Sequence, residues 1–214
     1  MKKVFITWGG WEGHEPRQTA ELFAGLLREK GASVEVVNTL EPLADAERMA
    51  TFDLIIPVWT MSKIERPQLE GLLSAVRSGV GFGGWHGGAG DSFRESTDYQ
   101  WLVGGQWVAH PGGVIDYTVE IVKEDPITAE LPRSFAMHSE QYYMHTDPGN
   151  EVLAVTRFDG AHASWAAGTV MPVAWKRHYG AGRVFYCSLG HVARDFDTAP
   201  AQELTLRGLL WAMR

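Results

Sequence analysis

The first half of the chain alternates continuous apolar segments with amphipathic ones, and this alternation constrains the fold more than any other feature. The apolar segments, rich in β-branched and aromatic residues, predict strands at residues 3–8, 33–37, 53–59 and 80–84. Apolar residues at helical spacing predict helices at residues 17–30, 43–50 and 67–78. Such a succession is typical of a parallel sheet that is covered by helices on both faces.

The second half carries more strand signals. Residues 114–122 and 151–158 predict strands, and residues 171–177 and 183–189 predict a β-hairpin across a glycine-containing turn at 179–182. Leucines at residues 204, 206, 209 and 210 predict a last helix over 201–213. Since no linker, repeat or low-complexity segment interrupts the chain, residues 1–214 are predicted to form a single domain.

Composition excludes several kinds of partner. The net charge is −7, and the 19 lysines and arginines are spread along the chain, which argues against nucleic acid and anionic membranes. No segment approaches the roughly 20 apolar residues of a membrane span. Cys187 is the single cysteine, so no intrachain disulfide requires an oxidising compartment. The first apolar run is too short for a signal peptide, and we therefore expect a cytoplasmic protein.

Four predicted strand ends collect polar and aromatic residues. They are followed by residues 8–14, 58–62, 85–88 and 190–191. Ligands of parallel α/β sheets bind at the carboxyl ends of the strands, because those ends share one edge. We therefore expect these segments to meet, although they lie far apart in the sequence.

The segment GVGFGGWHGGAGDSF, residues 79–93, predicts a sharp turn from strand to helix around His86. Hydrolases place a serine or cysteine at such an elbow, and glutamine amidotransferases place a cysteine there. Imidazole is a poor nucleophile toward amides but a good acid, base or metal ligand near neutral pH, so glutaminase chemistry is not expected. The alternative is a structural histidine that joins two loops by hydrogen bonds.

Three further side chains are candidates for the same pocket: His14, Glu140 and His191. With His86 they could form a metal site for a divalent ion of the zinc or manganese type, although no HExxH or CxxC spacing marks one. Without an ion, Glu140 and a histidine could act as base and acid. The remaining histidines are interpreted as solvated or half-buried residues: His110, His138, His145, His162 and His178.

Cys187 allows two interpretations. It could be a displaced nucleophile, since the elbow itself lacks a cysteine. The alternation of side chains over residues 183–189 favours a buried strand thiol instead.

Several motifs occur together in chain order. They are His14-Glu15, Gly83-Gly84-Trp85-His86-Gly87, residues 125–132, Ser139-Glu140-Gln141-Tyr142, residues 172–177, residues 180–186 and residues 189–191. Together they resemble the ThuA-like (trehalose utilisation) family of the class I glutamine amidotransferase-like superfamily, over nearly the whole chain. The resemblance implies an α/β, flavodoxin-like fold with a parallel sheet core, helices on both faces and an added β-hairpin. At position 85 this chain has a tryptophan, where many members of the family have a smaller aliphatic residue.

The family resemblance also implies a role in sugar metabolism. It suggests an enzyme for a disaccharide or a 3-keto glycoside, in which a ketone acidifies the neighbouring C–H bond and a base removes the proton while the aglycone leaves. Glu140 and His191 would be the acid and base, and His86 an acid, a base or a ligand. The predicted sugar contacts are Trp59, Trp85, Tyr142, Arg17 and Arg194.

Two other functions stay open on the sequence alone. One is a non-catalytic sugar-binding or regulatory domain on an amidotransferase scaffold that has lost its cysteine. The other is a metal-dependent hydrolase of an unrelated small substrate. The cofactor is not identified beyond a divalent metal, and a homodimer is expected only because symmetric dimers are common.

Overall fold

The computed structural model describes all 214 residues. The strands are β1 (Lys3–Gly10), β2 (Ser33–Val37), β3 (Leu54–Thr60), β4 (Gly81–Trp85), β5 (Gly105–Ala109), β6 (Val114–Ile121), β7 (Ser134–Glu140), β8 (Tyr143–Thr146), β9 (Glu151–Arg157), β10 (Val170–Tyr179) and β11 (Gly182–Cys187). The helices are α1 (Pro16–Glu29), α2 (Ala46–Met49), α3 (Arg66–Arg77), α4 (His86–Gly90), α5 (Thr97–Val103) and α6 (Ala199–Ala212). No helix combines the length and apolar character that crossing a bilayer requires.

A nine-stranded mixed sheet runs through the molecule in the order β2-β1-β3-β4-β11-β10-β9-β6-β7. The first five strands are parallel to one another, in the 2-1-3-4-5 order of flavodoxin-like sheets with β11 in fifth place. The last four are joined by antiparallel pairing, and β5 pairs with β8 in a separate ribbon. The predicted α/β flavodoxin-like fold with an added hairpin is confirmed.

Helices cover both faces of the parallel part of the sheet. α1 and α6 pack on one face, where 29 buried residues form a core cluster that includes Phe23 and Leu209. α3 and α5 pack on the other, where a second cluster of 27 buried residues includes Leu72 and Tyr99. Burial on both sides explains why the parallel strands read as continuous apolar runs rather than as alternating ones.

The hairpin of β10 and β11 turns through Gly180 and Ala181. Gly180 has a φ of 62°, the left-handed conformation that glycine adopts without strain. A Cβ there would lie 2.8 Å from the Arg77 backbone, while the Ala181 N–H donates to the Arg77 carbonyl at 3.0 Å. The turn therefore docks on the end of α3, and the predicted hairpin is confirmed.

The structure differs from the predicted elements in three places. Residues 43–50 form a 3₁₀ turn followed by α2, because Asp45 caps a new helix by accepting from the Arg48 N–H at 2.9 Å. The short elements α5, β5 and β8 were not predicted. The segment that leads to Glu140 showed no periodicity but forms the edge strand β7, in which buried and exposed residues alternate.

Cys187 lies fully buried in β11, as the alternation predicted. Burial raises the pKa of its thiol to about 11, and the thiolate is the reactive form. We expect no reaction of the folded protein with dithiobis(nitrobenzoic acid) at about pH 8, and one reactive thiol after unfolding in guanidinium. Fast labelling of the folded protein would instead favour a displaced nucleophile.

Candidate active site

Four side chains from distant parts of the sequence converge at the carboxyl edge of the parallel strands. His14 lies in a 3₁₀ turn after β1, His86 follows β4, His191 follows β11, and Glu140 ends β7. One donor atom of each lies within 4.8 Å of the others. His14, His86 and Glu140 are buried, and His191 is partly open. The structure thus brings together the four residues that the strand ends and motifs selected; we call them the His₃Glu cluster.

His86 occupies the elbow between β4 and α4. Its φ is 44°, which is unusual for a residue with a Cβ and costs backbone strain. The turn is close-packed, since a Cβ on Gly84 would lie 2.3 Å from the Ala89 Cβ. The Tyr186 hydroxyl donates to the His86 carbonyl at 3.0 Å and helps hold this conformation. The elbow therefore presents an imidazole where amidotransferases present a thiol.

Two carboxylates fix the loops that carry the outer members of the cluster. Glu15 accepts from the Ala193 N–H at 3.0 Å, which ties the loop after β1 to the loop after β11. Asp195 accepts from the His191 N–H at 3.0 Å and from the Ser139 hydroxyl, which ties the same loop to β7. Glu15 and Asp195 are thus positioning residues for His14, His191 and Glu140.

Glu140 is the electrostatic centre of the cluster. Its Oε2 lies 3.1 Å from Nε2 of His86, 3.3 Å from Nδ1 of His191 and 3.8 Å from Nε2 of His14. Burial acts to raise the pKa of this carboxyl, but its close polar contacts with the imidazoles of His14, His191 and His86 hold the pKa well below its usual range. The carboxylate is therefore ionised, and it carries the negative charge of the site.

The environment affects His86 and His191 in opposite directions. Burial lowers the pKa of His86 to about 3, so its ring is neutral. Burial also acts against protonation of His191, but its contact with Glu140 raises the pKa of His191 above the ordinary value. Two chemically identical side chains thus differ in protonation behaviour, because His86 is fully buried whereas His191 is partly exposed and lies close to Glu140.

The hydrogen-bonding pattern of the cluster fits a divalent cation. Nδ1 of His86 donates to the Ser188 carbonyl at 2.8 Å, so the Nε2 of its neutral ring points a lone pair at a carboxylate oxygen. Nδ1 of His191 is buried and has no hydrogen-bond partner. Nδ1 of His14 is held by the Thr60 hydroxyl at 2.8 Å, which leaves Nε2 for the centre. Three imidazole nitrogens and a carboxylate, with the rings of His14 and His86 oriented by outer partners, are a typical zinc or manganese ligand set.

Aromatic side chains line another side of the cluster. The Tyr142 ring stacks on His86 with 3.9 Å between ring centroids, and it is buried. His110 lies beyond Tyr142, with its Nδ1 3.7 Å from Oε1 of Glu140 and about a third of its side chain open to solvent. Trp107 lies next to both. The sequence predicted His110 to be solvated or half-buried, which fits its partial exposure, but did not predict its position beside Glu140.

The predicted sugar contacts differ in how far they are exposed to solvent. Trp85 is corrected: it is 1% exposed and packs against Phe23 and Phe196 in the core, because the last residue of β4 points to the α1 and α6 face. Trp59 is partly buried, and its indole N–H has no hydrogen-bond partner. Arg17 and Arg194 are exposed, in sequence shortly after His14 and His191.

Sequence reasoning missed Glu15, Asp195, His110 and Trp11 as neighbours of the site. Glu15 follows His14 directly and Asp195 follows His191 closely in the sequence, and this proximity was the available signal. Trp11 contacts His14 edge-on, with 4.7 Å between ring centroids. His110 follows β5, which was not predicted, so no strand end pointed to it.

The comparisons with known proteins agree with this fold. A family model described as ThuA, trehalose utilisation, matches residues 3–212. No curated protein sequence matches the chain.

Three solved structures illustrate the structural likeness. A ThuA-like protein from Bacteroides uniformis is 18% identical, with a TM-score of 0.81 over 99% of this chain and 91% of that chain. A cytoplasmic protein from Salmonella typhimurium is 13% identical, with a TM-score of 0.72 over 100% of both chains. A β-galactosidase from Bacillus circulans is 16% identical, with a TM-score of 0.62, and the match covers 99% of this chain and 30% of the enzyme. At these identities the likeness concerns the fold alone.

Proposed function

This chain belongs to the ThuA (trehalose utilisation) family, and on that premise we propose that it is an enzyme that acts on a disaccharide or on an oxidised, 3-keto glycoside. The reaction proposed is acid–base elimination of the aglycone, assisted by a divalent metal. The single observation that carries the proposal is the His₃Glu cluster, whose four donor atoms lie within 4.8 Å of one another.

His14, His86, His191 and Oε2 of Glu140 are the residues that would hold the metal. A divalent ion at this position would supply Lewis acidity toward a carbonyl oxygen of the substrate. The protein orients its ligands through the Thr60 hydroxyl on His14 and the Ser188 carbonyl on His86. Such outer partners restrict ring rotation and select the tautomer.

Proton removal is assigned to Glu140. The three imidazoles contact Oε2. Oε1, which faces Nδ1 of His110 at 3.7 Å, would accept a proton from carbon 2 of a 3-keto sugar. The electron pair of that C–H bond forms the double bond between carbons 1 and 2 as the bond from carbon 1 to the aglycone oxygen breaks. The departing oxygen takes up a proton from water, so the elimination needs no oxidant or reductant.

A metal-free version of the same chemistry gives the acid role to His191. Its contact with Glu140 raises its pKa, and its side chain is 16% exposed, so it can receive protons from solvent. His86 does not suit this role, because burial keeps its ring neutral. Removal of metal from the protein distinguishes the two versions.

Substrate contacts are proposed for Trp59, Arg17 and Arg194, and for the hydroxyl group of Tyr142, whose ring is buried. Tyr142 keeps its phenolic proton, since burial raises its pKa well above the ordinary value, and its hydroxyl lies over Gly87 next to the His14 ring. The exposed arginines would contact sugar hydroxyl groups or a carboxylate. A cytoplasmic location and a homodimer stay predictions from the sequence.

The test is a turnover assay on purified protein with 3-keto-trehalose and trehalose as paired substrates. We expect turnover of the ketone at a rate at least about 100-fold above that of the unoxidised sugar, because only the ketone acidifies the C–H bond. Chelation followed by desalting should abolish the activity, and Zn²⁺ or Mn²⁺ should restore it.

The other outcomes separate the remaining functions. Full activity after metal removal, checked by elemental analysis, would support the metal-free version with His191 as acid. Calorimetric binding of either sugar without turnover would instead support the non-catalytic sugar-binding domain. Neither binding nor turnover of any glycoside would refute the proposal.

A further inference from the structure

Trp11 is a large aromatic side chain left open beside the His₃Glu cluster. It is 46% exposed, and its ring meets His14 edge-on at a centroid distance of 4.7 Å. By contrast, Trp85 is in the core, and Tyr142 is buried with one face against His86. Trp11 is therefore the aromatic group at the cluster with the largest open surface.

The position of the Trp11 side chain is built into the loop. A Cβ on Gly13 would lie 2.4 Å from the indole ring, so only glycine at that position lets the ring lie across the turn. The backbone N–H of Trp11 donates to the Thr60 carbonyl at 3.1 Å, and the Trp11 carbonyl accepts from the backbone N–H of His14 at 3.3 Å. The backbone of Trp11 is thus tied to His14 and to Thr60, whose hydroxyl holds the His14 ring.

We infer that the open face of the Trp11 indole is the platform on which a sugar ring of the substrate stacks. This inference rests on the proposed function and adds a specificity-determining residue to it. A pyranose ring presents apolar C–H groups on its face and hydroxyl groups around its edge. An indole binds the apolar face, while polar groups nearby bind the edge, which suits Trp11 next to His14.

Stacking of a sugar ring on Trp11 determines which class of substrate binds. Because the platform lies against a cluster histidine, a ring on it is held one side chain away from the reacting centre. A disaccharide or aryl glycoside can then place one ring on Trp11 and the other at Glu140. A free monosaccharide can occupy only one of the two places, so the platform favours two-ring substrates.

The experiment measures sugar binding and turnover in Trp11→Ala and Trp11→Phe, with trehalose, 3-keto-trehalose and glucose as probes. Trp101→Ala is the matched control, since Trp101 is 60% exposed on α5 and contacts Tyr179. We expect Trp11→Ala to raise the dissociation constant and the KM for the disaccharides about ten-fold, with a smaller change for glucose. The kcat should change less than the KM, and Trp11→Phe should restore most of the affinity.

Zn²⁺ affinity separates a sugar-binding role of Trp11 from a purely structural one, because it would change in Trp11→Ala only if the indole supported the structure of the cluster. Zn²⁺ affinity of Trp11→Ala should equal that of the wild type, because the indole donates no ligand atom to the cluster. Disaccharide affinity unchanged in Trp11→Ala, in a wild type that binds these sugars, overturns the inference and leaves the proposed function standing. A wild type that binds none of the probes overturns the proposed function, and the inference falls with it.

Discussion

Replacement of Glu140 by glutamine should abolish turnover and most of the affinity for divalent metal. Glutamine keeps the size of the side chain but removes the negative charge that faces three imidazoles within 3.8 Å. Loss of a mere outer-shell partner costs about 10–100-fold in metal affinity, so loss of this ligand should exceed 100-fold. Calorimetric titration with Zn²⁺ and Mn²⁺ measures the affinity, and the 3-keto-trehalose assay measures turnover.

The matched control for Glu140→Gln is Asp116→Asn. Asp116 also pairs with a histidine, His138, at 2.8 Å, but the pair is exposed on the antiparallel extension of the sheet. This control should keep wild-type metal affinity and turnover, since exposed pairs contribute little. If Glu140→Gln behaves like the control in both assays, Glu140 is neither a ligand nor the base.

Replacement of Gly87 by alanine should disrupt the site by steric contact alone. The new Cβ would lie 2.4 Å from Cε1 and 2.6 Å from Nδ1 of His14, and 2.9 Å from the Tyr142 hydroxyl. The His14 ring cannot turn away freely, because the Thr60 hydroxyl holds it. We expect a loss of about 10–100-fold in metal affinity, as for other displaced ligands, and about 1–3 kcal/mol in the free energy of unfolding.

Gly25→Ala is the control for the Gly87 variant. Gly25 lies in α1, and an added Cβ there meets nothing within 4 Å. The change should raise the free energy of unfolding by about 0.5–1 kcal/mol, because alanine loses less backbone entropy in a helix. Metal affinity should not change. A Gly87→Ala variant that is stabilised like Gly25→Ala and binds metal normally would show that the cluster tolerates the displacement.

The main helices were predictable because local signals mark their ends. Pro16, Pro67 and Pro200 each lie in the first turn of a long helix, where a missing N–H costs nothing. The predicted α1 and α3 differ from the observed bounds by one residue at each end. The short elements α5, β5 and β8 lack such signals, since their stability comes from packing against the rest of the molecule.

The cluster itself was predictable because a parallel sheet has a single carboxyl edge. Once β1, β4 and β11 were recognised as strands of one sheet, the histidines after them had to meet. Glu140 came from its motif, since the strand that carries it was not recognised. The same reasoning could not place Trp85, because a strand buried on both faces does not reveal which way a given apolar residue points.

The sequence by itself determined the parallel core, the three long helices and the edge on which His14, His86 and His191 gather. These properties follow from periodicity and from local chemistry at element ends. Only the tertiary structure decided that Trp85 belongs to the core and that Trp11 and His110 border the site. The direction in which an indole or imidazole points depends on neighbours that are distant in the chain, and no local pattern encodes them.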